Sequence, residues 1–490
     1  MRDSLARPIS PVVALLSAAV LCACASMAPD YQRPALPVPD AFAAADTVAA
    51  NAAPASEIGW REFFSDPKLR DVIDAALANN RDLRVAALNI ERARGLYGIR
   101  EADALPTVTA GASGIAQRVP ATLSVNDRAT VSRQYSVALG ISAYELDLFG
   151  RVRSLRDAAL QQYLASEDAR RATQIGLVAE VASAYLQLAA DRQRLELARA
   201  TLASQRSSYD LIRRRFELGV SSDLDVRQAQ TTVDSARADV ARFTGFVAAD
   251  RNALALLAGT PIRDEWLPRD RVAPTLIELP GGLPSEVLLR RPDVVEAERQ
   301  LQAANANIGA ARAAFYPSIS LTASAGTASA ALSDLFKGGS GTWAFIPQIS
   351  LPIFDHGRNR AGLQVAEAER DIRVADYERA IQVAFREVAD ALGFRTTLAE
   401  QLQAQTDLVG AAEQAHRLSR ARYDSGVDDY LGVLDAQRAL YAARQARIGA
   451  ELEQQLNLVT LYRALGGGLV AGTTAASAAP VVGALKQDAR

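Results

Sequence analysis

The chain states one pattern twice, about 210 residues apart, so its fold has to accommodate two like halves. Asp82-Leu83, Ala86, Ile90, Ala93, Gly98, Ala102 and Pro106-Thr107-Val108 recur as Asp293-Val294, Ala297, Leu301, Ala304, Gly309, Ala313 and Pro317-Ser318-Ile319. Leu148-Phe149-Gly150-Arg151 answers Ile353-Phe354 with Gly357-Arg358. Arg215-Phe216, Gly219-Val220, Leu224, Val226 and Ala229-Gln230 answer Arg422-Tyr423, Gly426-Val427, Leu431, Val433 and Ala436-Gln437. Each copy reads as helix, two strands, very long helix, tight turn, helix. A repeat this long is a duplicated structural unit rather than a solenoid module. Each copy supplies only two strands, and their needs govern the rest.

The strand pattern is period two. Tyr135, Val137, Leu139, Ile141 and Ala143 alternate with Ser136, Ala138, Gly140 and Ser142. Trp343, Phe345, Pro347, Ile349 and Leu351 alternate with Ala344, Ile346, Gln348 and Ser350. Their hairpin partners are Pro106 to Ile115 and Pro317 to Gly326, the first with weaker alternation. Such patterning places one face in an apolar medium and the other in a polar one. Segments of about ten residues suit a tilted strand crossing a bilayer. The stretches Gln117 to Arg133 and Ala328 to Thr342 are polar and Gly/Ser-rich, as exposed loops should be. Taken alone, the strands also fit a hairpin packed on a soluble core.

The N-terminus favours the membrane. Arg2 and Arg7 precede an apolar run from Pro11 to Leu21, too short to span a bilayer as a helix but suited to a secretory signal. It ends in Leu21-Cys22-Ala23-Cys24-Ala25-Ser26, which reads as a bacterial lipoprotein processing site, with Ala23 before the cut and Cys24 as the lipid-bearing first residue. Bulky Leu21 makes Cys22 the poorer candidate. These two cysteines are the only ones, so the mature chain carries no disulfide and no thiol metal site. No apolar run reaches transmembrane-helix length, so a membrane crossing must use strands. The net charge of −2 points to no nucleic-acid partner.

Helices form the other half. From Arg153 to Phe216 there is no proline and Gly176 is the only glycine, while alanine, leucine, arginine and glutamine dominate. About 60 residues at ~1.5 Å rise make a rod of roughly 90 Å. The second copy, Arg360 to Tyr423, reads the same way. Alanine-rich seams let such rods lie close to neighbours. Each rod reverses at a Gly-Val turn, with Ser222 or Asp223, and Asp428 or Asp429, placed to cap the returning helix. An elongated coiled-coil scaffold, or a cell-wall-modifying lipoprotein without a channel, would explain the rods and leave the strand pairs unexplained.

The residues also carry a resemblance. Cys24 with Ala28-Pro29-Asp30-Tyr31-Gln32-Arg33-Pro34, then Trp60-Arg61-Glu62-Phe63-Phe64-Ser65-Asp66, stand in the first part. Gly282-Leu283-Pro284-Ser285, Arg290-Arg291-Pro292-Asp293-Val294 and Ala310-Ala311-Arg312-Ala313-Ala314-Phe315-Tyr316-Pro317-Ser318-Ile319 follow, and Arg422-Tyr423, Gly426-Val427 and Tyr430-Leu431 with Leu434-Asp435-Ala436-Gln437 close the set. In order and spacing these resemble the outer membrane factor family, the TolC and OprM-like exit ducts of tripartite efflux and secretion systems. The likeness is greatest to the lipoprotein, NodT-type branch that serves resistance-nodulation-division pumps.

Four strands cannot close a barrel, and open edges are not tolerated in lipid, so oligomerisation is required. The resemblance implies a homotrimer: a twelve-stranded transmembrane β-barrel, four strands per protomer, continued by a periplasmic helical barrel. The expected order is a signal peptide (1–23), a lipidated tether (24–56), an equatorial segment with the first tunnel helix (57–104) and the first strand hairpin (105–148). A long helical hairpin (149–258), a second equatorial segment (259–285), a tunnel helix (286–315) and the second strand hairpin (316–354) follow. The second helical hairpin (355–464) and a C-terminal equatorial segment with its tail (465–490) complete it. Implied partners are a periplasmic adaptor, an inner-membrane resistance-nodulation-division transporter and outer membrane lipid.

By the same resemblance the turns Leu218, Gly219, Val220, Ser221, Ser222 and Ser425, Gly426, Val427, Asp428, Asp429 are the adaptor-contact tips. Leu431 and Asp435 fall on the rings of the periplasmic gate, and Asp225 and Tyr423 on positions that tie neighbouring helices. Asp424 departs from the pattern, since OprM-like relatives carry a basic residue there, which puts one gate-locking ion pair in doubt. An enzyme is not expected: His356 and His416 lack metal-ligand spacing, and no phosphate loop or nucleophile elbow occurs. No cofactor or metal is expected. Small polar residues such as Ser136, Ser142, Ser318, Ser320 and Thr322 suit a passive duct lining. Drugs, other toxic organic compounds and metals stay open as cargo, although with only Met1 and Met27 thioether handling of copper is disfavoured.

Overall fold

The computed structural model describes residues 26–42, 58–124, 127–268 and 284–470. The signal segment, Cys24 and the C-terminal tail therefore lie outside the described residues. The main helices and strands are α1 (Trp60–Phe63), α2 (Pro67–Asn79), α3 (Arg81–Ala102), β1 (Val108–Val119), β2 (Thr130–Leu146), α4 (Arg151–Glu217), α5 (Asp223–Ala258), α6 (Pro292–Ala313), β3 (Ser318–Ser329), β4 (Gly341–Ser350), α7 (Arg358–Asp424) and α8 (Tyr430–Ala464). They divide between two compact units. One holds the strands with the described residues up to Ala35, Asn89–Glu167 and Glu296–Glu378. The other holds the described parts of Leu36–Leu88, Asp168–Val295 and the chain from Arg379.

In the first unit the four strands make one antiparallel sheet in the order β1-β2-β3-β4. Register aligns Val108 with Ile141, Ile141 with Ala323 and Ala323 with Phe345, so the two hairpins of the repeat present a common face. That face carries Tyr135, Val137, Leu139, Ile141, Ile319, Leu321, Trp343, Phe345 and Ile349. Trp343 is 79% exposed and Ile349 70%. The opposite face carries Ser113, Ser136, Ser320, Thr322, Ser324 and Gln348, and the Ser113 and Ser136 hydroxyls meet at 2.8 Å. There is no room on that face for a Cβ at Gly326, which would collide with the Val137 carbonyl oxygen.

The strands differ from expectation in two ways. They run on into the polar stretches, with β1 and β2 paired as far as Val119 and Thr130, and β3 and β4 as far as Thr327 and Gly341. Pairing satisfies backbone groups whatever the side chains are, so loss of alternation does not end a strand. Second, Ala143 does not continue the apolar stripe. It sits in a β-bulge between Ile141 and Tyr144, at φ 49°, with its N–H donated to Thr322 Oγ1 at 3.1 Å. The extra residue shifts the alternation, and Tyr144 and Leu146 take over the apolar face.

The N-terminal segment, expected as a tether, is extended and fastened in its described part. In the first unit the Arg33 guanidinium donates to both oxygens of Glu298 at 2.8 and 2.9 Å, and the Tyr31 hydroxyl donates to the same carboxylate at 3.0 Å. Asn305 Nδ2 donates to the Pro29 carbonyl at 2.7 Å. A Cβ on Gly309 would lie 2.7 Å from the Ala28 nitrogen, so a side chain there would displace the segment. Glu298, Asn305, Gly309 and Arg312 form one stripe of α6, and the strap lies along it.

The second unit is organised around aromatic side chains. Phe63 stacks on Tyr462 with ring centres 3.8 Å apart, and the Tyr462 hydroxyl donates to the Ile58 carbonyl at 2.6 Å. Trp60 is buried, and its backbone N–H donates to the Val470 carbonyl at 2.9 Å. Asp66 caps α2 by accepting the Lys68 N–H and also accepts the Tyr185 hydroxyl. Buried Arg291 donates to the Ala464 carbonyl at the end of α8 and to Asp293 and Glu387. Segments far apart in sequence are thus held in one belt of contacts.

Candidate functional site: the helical turns and the residues behind them

Two matching turns, both in the second unit, carry the residues singled out in the sequence. α4 and α7 are each 67 residues long and end in the same cap. Gly219 N–H donates to the Phe216 carbonyl and Val220 N–H to that of Arg215; Gly426 N–H donates to Tyr423 and Val427 N–H to Arg422. Both glycines adopt φ 74°, a left-handed conformation that other residues enter at a cost. The closure projects apolar side chains outward, with Leu218 79%, Val220 74% and Val427 64% exposed.

The returning helices are capped by different chemistry. Ser222 accepts the Asp225 N–H while the Asp225 carboxylate accepts the Ser222 N–H at 2.9 Å, a capping box. The Ser221 and Ser222 hydroxyls donate to the same carboxylate. With the Ser222 N–H foremost, these donors hold the Asp225 carboxyl below the usual carboxylate range. Within one chain, then, Asp225 serves its own helix. In the second turn Asp429 is the cap, accepting the Gly432 N–H, and Asp428 is gripped by Arg422 at 2.5 and 2.8 Å.

Behind the turns a small core forms from Ile212, Val226, Ala229, Tyr430, Val433 and Leu434, with Tyr209 and Tyr423 packed against it. Tyr423 links two helices: Arg215 Nη1 donates to its hydroxyl at 2.5 Å, and the guanidinium carbon lies 5.1 Å from its ring centre. Leu431 and Asp435 sit one turn apart on the exposed side of α8, and Arg438, a turn further, donates to Asp435 at 3.4 Å. Asp424 is occupied locally by Arg420 at 3.1 Å. Arg215 heads one of the repeated segments, and only the fold brings it to Tyr423. Its match Arg422 bonds Asp428 instead, so the duplication kept the arginine and changed its partner.

The histidines stay apart in role. His356 is exposed, its ring 4.4 Å from that of Phe354. His416 is half-buried, and burial with Arg420 and Arg444 nearby pushes its pKa down. Among the described residues no group of His, Cys, Asp and Glu could hold a metal ion, and no helix is long and apolar enough to cross a membrane.

The sequence profile of the family described as outer membrane efflux protein matches residues 72–260 and 283–467, one stretch in each half. The chain is 52% identical over 458 residues to the toluene efflux pump outer membrane protein TtgC of Pseudomonas putida, covering 92% of this chain and 94% of that protein. It is 48% identical over 464 residues to outer membrane protein OprJ of Pseudomonas aeruginosa, covering 94% and 96%. The fold matches the open state of the Neisseria gonorrhoeae MtrE outer membrane channel with a TM-score of 0.84 and 41% identity, over 92% of this chain and 100% of that one.

Proposed function

The chain belongs to the outer membrane efflux protein family, and from that premise we propose that three copies close a twelve-stranded barrel and form the passive exit duct of a tripartite efflux pump. The observation that carries this is the sheet. Among the described residues β1 and β4 each pair on one side only, and the face bearing Trp343, Phe345 and Ile349 is left bare. Both defects are removed if β4 of one copy pairs with β1 of the next in a bilayer. Apolar side chains are also left exposed next to both edge strands in sequence, Leu96, Ile99, Leu105 and Val108 before and at the start of β1, and Ile353, Phe354, Val365 and Ile372 after β4. Head-to-tail contact between two different surfaces closes a ring where the rotation from copy to copy closes. Light scattering in mild detergent tests it: a trimer mass is expected, and a folded, stable monomer would overturn it.

Cys24 is the lipid-bearing residue, and its acyl chains add about 0.8 kcal/mol per buried methylene to what the barrel supplies. The exposed Leu218, Val220 and Val427 of the tips meet the periplasmic adaptor, which links the duct to a resistance-nodulation-division transporter. Leu431 and Asp435 form the gate rings. Three copies of Asp435 near one axis repel each other and favour cations over anions. Tyr423 and Arg215 supply a bond that holds the closed arrangement. The serine and threonine face of the sheet lines the duct and binds little, so selection lies with the pump. The cargo is drugs and other toxic organic molecules, of which toluene is one model by likeness to TtgC.

A further inference from the structure

We propose that β4 of one copy pairs with β1 of the next so that Ile346 lies directly opposite Ile115, a register that the duplication itself dictates. It presupposes the ring of copies proposed above and specifies how each seam of that ring is made. All the residues concerned lie in the first unit.

Inside one chain the two halves already meet along a seam of the same kind. β1 and β2 belong to the first half, β3 and β4 to the second, and β2 pairs with β3. The halves match strand for strand: Val108 opposes Ile141, and their counterparts Ile319 and Ile349 oppose each other. A seam from β4 to the next copy's β1 therefore joins the same two edges as the internal seam from β2 to β3. In that internal seam Ile141 opposes Ala323 and Ala138 opposes Gly326. Exchanging each residue for its repeat counterpart puts Ile349 opposite Ala112, and Ile346 opposite Ile115.

Side chains lead to the same register independently. A slip of one residue would turn the face bearing Trp343, Phe345 and Ile349 over relative to that of β1, so only steps of two are open. On the hydroxyl-bearing face, β1 has Ile115 between Ser113 and Gln117, and β4 has Ile346 between Ala344 and Gln348. Within the chain these isoleucines oppose Gln134 and Thr322, and both are exposed. Sliding the seam by two residues would set Ile346 against Ser113 or Gln117. The register given by the repeat makes the two isoleucines cross-strand neighbours instead.

The end of the seam agrees. Phe149, just past β2, stacks on Tyr316, just before β3, with ring centres 4.9 Å apart. Their repeat counterparts are Phe354 and Leu105, which one chain leaves 79% and 68% exposed. The same seam brings Phe354 onto Leu105 of the next copy. Each seam then carries one apolar isoleucine pair on a lining otherwise rich in hydroxyls.

Cysteine cross-linking of the full chain in mild detergent reads the register. Directly opposed residues of an antiparallel pair have Cα atoms about 4.5–5.5 Å apart, which a disulfide spans, while residues two off lie at about 7–8 Å, beyond its reach. Ile115→Cys with Ile346→Cys should, on oxidation, shift the chain from monomer to a covalent trimer in denaturing gels, reversed by reductant. Ile115→Cys with Ala344→Cys or with Gln348→Cys should stay monomeric there. So should each single variant, which also measures any background from Cys24. Should the first pair fail to fold, Ala112→Cys with Ile349→Cys reads the same register from the lipid face. A trimer by light scattering that cross-links through a pair two residues off, or through neither in-register pair, would overturn the register and leave the ring standing. A folded, stable monomer would overturn both.

Discussion

Tyr423→Phe removes one hydroxyl and leaves the ring, so it isolates the hydrogen bond from Arg215 at 2.5 Å while keeping the guanidinium 5.1 Å from the ring centre. A hydrogen bond from a charged donor contributes about 1.5–3 kcal/mol when buried, and this half-buried pair is discounted to about 1 kcal/mol. Three copies opening together sum to about 3 kcal/mol, which shifts the closed-to-open equilibrium by roughly a hundredfold. Arg215→Ala removes the cation–π contact as well, about 0.5 kcal/mol per copy at a partly exposed site, and adds about another tenfold. Single-channel recording in planar bilayers measures open probability directly. The expected order is wild type, then Tyr423→Phe, then Arg215→Ala, rising. Equal open probability in wild type and Tyr423→Phe, or no further rise in Arg215→Ala, would refute the assignment of this bond to the gate.

Asp435→Asn should weaken cation preference without changing the trimer mass, measured as a reversal-potential shift toward zero in a salt gradient; an unchanged reversal potential would take Asp435 out of the gate ring. Gly309→Ala and Glu298→Ala should both free the N-terminal strap, the first by collision with the Ala28 backbone at about 1–3 kcal/mol and the second by leaving Arg33 and Tyr31 without their acceptor. Limited proteolysis around residues 26–35 should accelerate in each, and wild-type cleavage rates would count against the strap's bonded register. Gly426→Ala should cost about 1 kcal/mol per chain by forcing a Cβ into the left-handed region, seen as a lowered melting temperature. Ser222→Ala should cost about as much through the lost cap. Because the folded Asp225 carboxyl is held low, its contribution is present above the ordinary aspartate pKa of about 3.9 and lost as pH falls below it; the Ser222→Ala deficit should shrink accordingly in acid thermal melts.

The duplication and the long rods were legible because both rest on residues that repeat: strong helix formers without proline, and Gly-Val turns whose glycines adopt the same φ. The strand faces were legible through period two, as far as Ile141. Beyond it the bulge at Ala143 broke the register, and nothing in Ser142-Ala143 marks it, since a bulge is set by what the partner strand offers, here Thr322. The fastening of the N-terminal strap was hidden for a related reason. Tyr31 and Arg33 show no periodicity, and their partner Glu298 lies 265 residues from Arg33. At the turns, resemblance put Tyr423 and Asp225 on positions that tie neighbouring helices; in the structure the capping box holds Asp225 on its own helix and Arg215 is the partner of Tyr423. Capping competition of that kind is decided by backbone geometry that residue identity alone does not specify.

A passive exit duct must conduct without any energy source, and that property can be measured on this chain alone. Purified full-length protein carrying Arg215→Ala, so that a closed gate cannot conceal the duct, should be added to a planar lipid bilayer in symmetric salt. Discrete, uniform current steps with cation preference, at protein concentrations where the trimer is the sole species in detergent, are predicted. A folded trimer that inserts into the bilayer and yields no steps above the detergent control would contradict it.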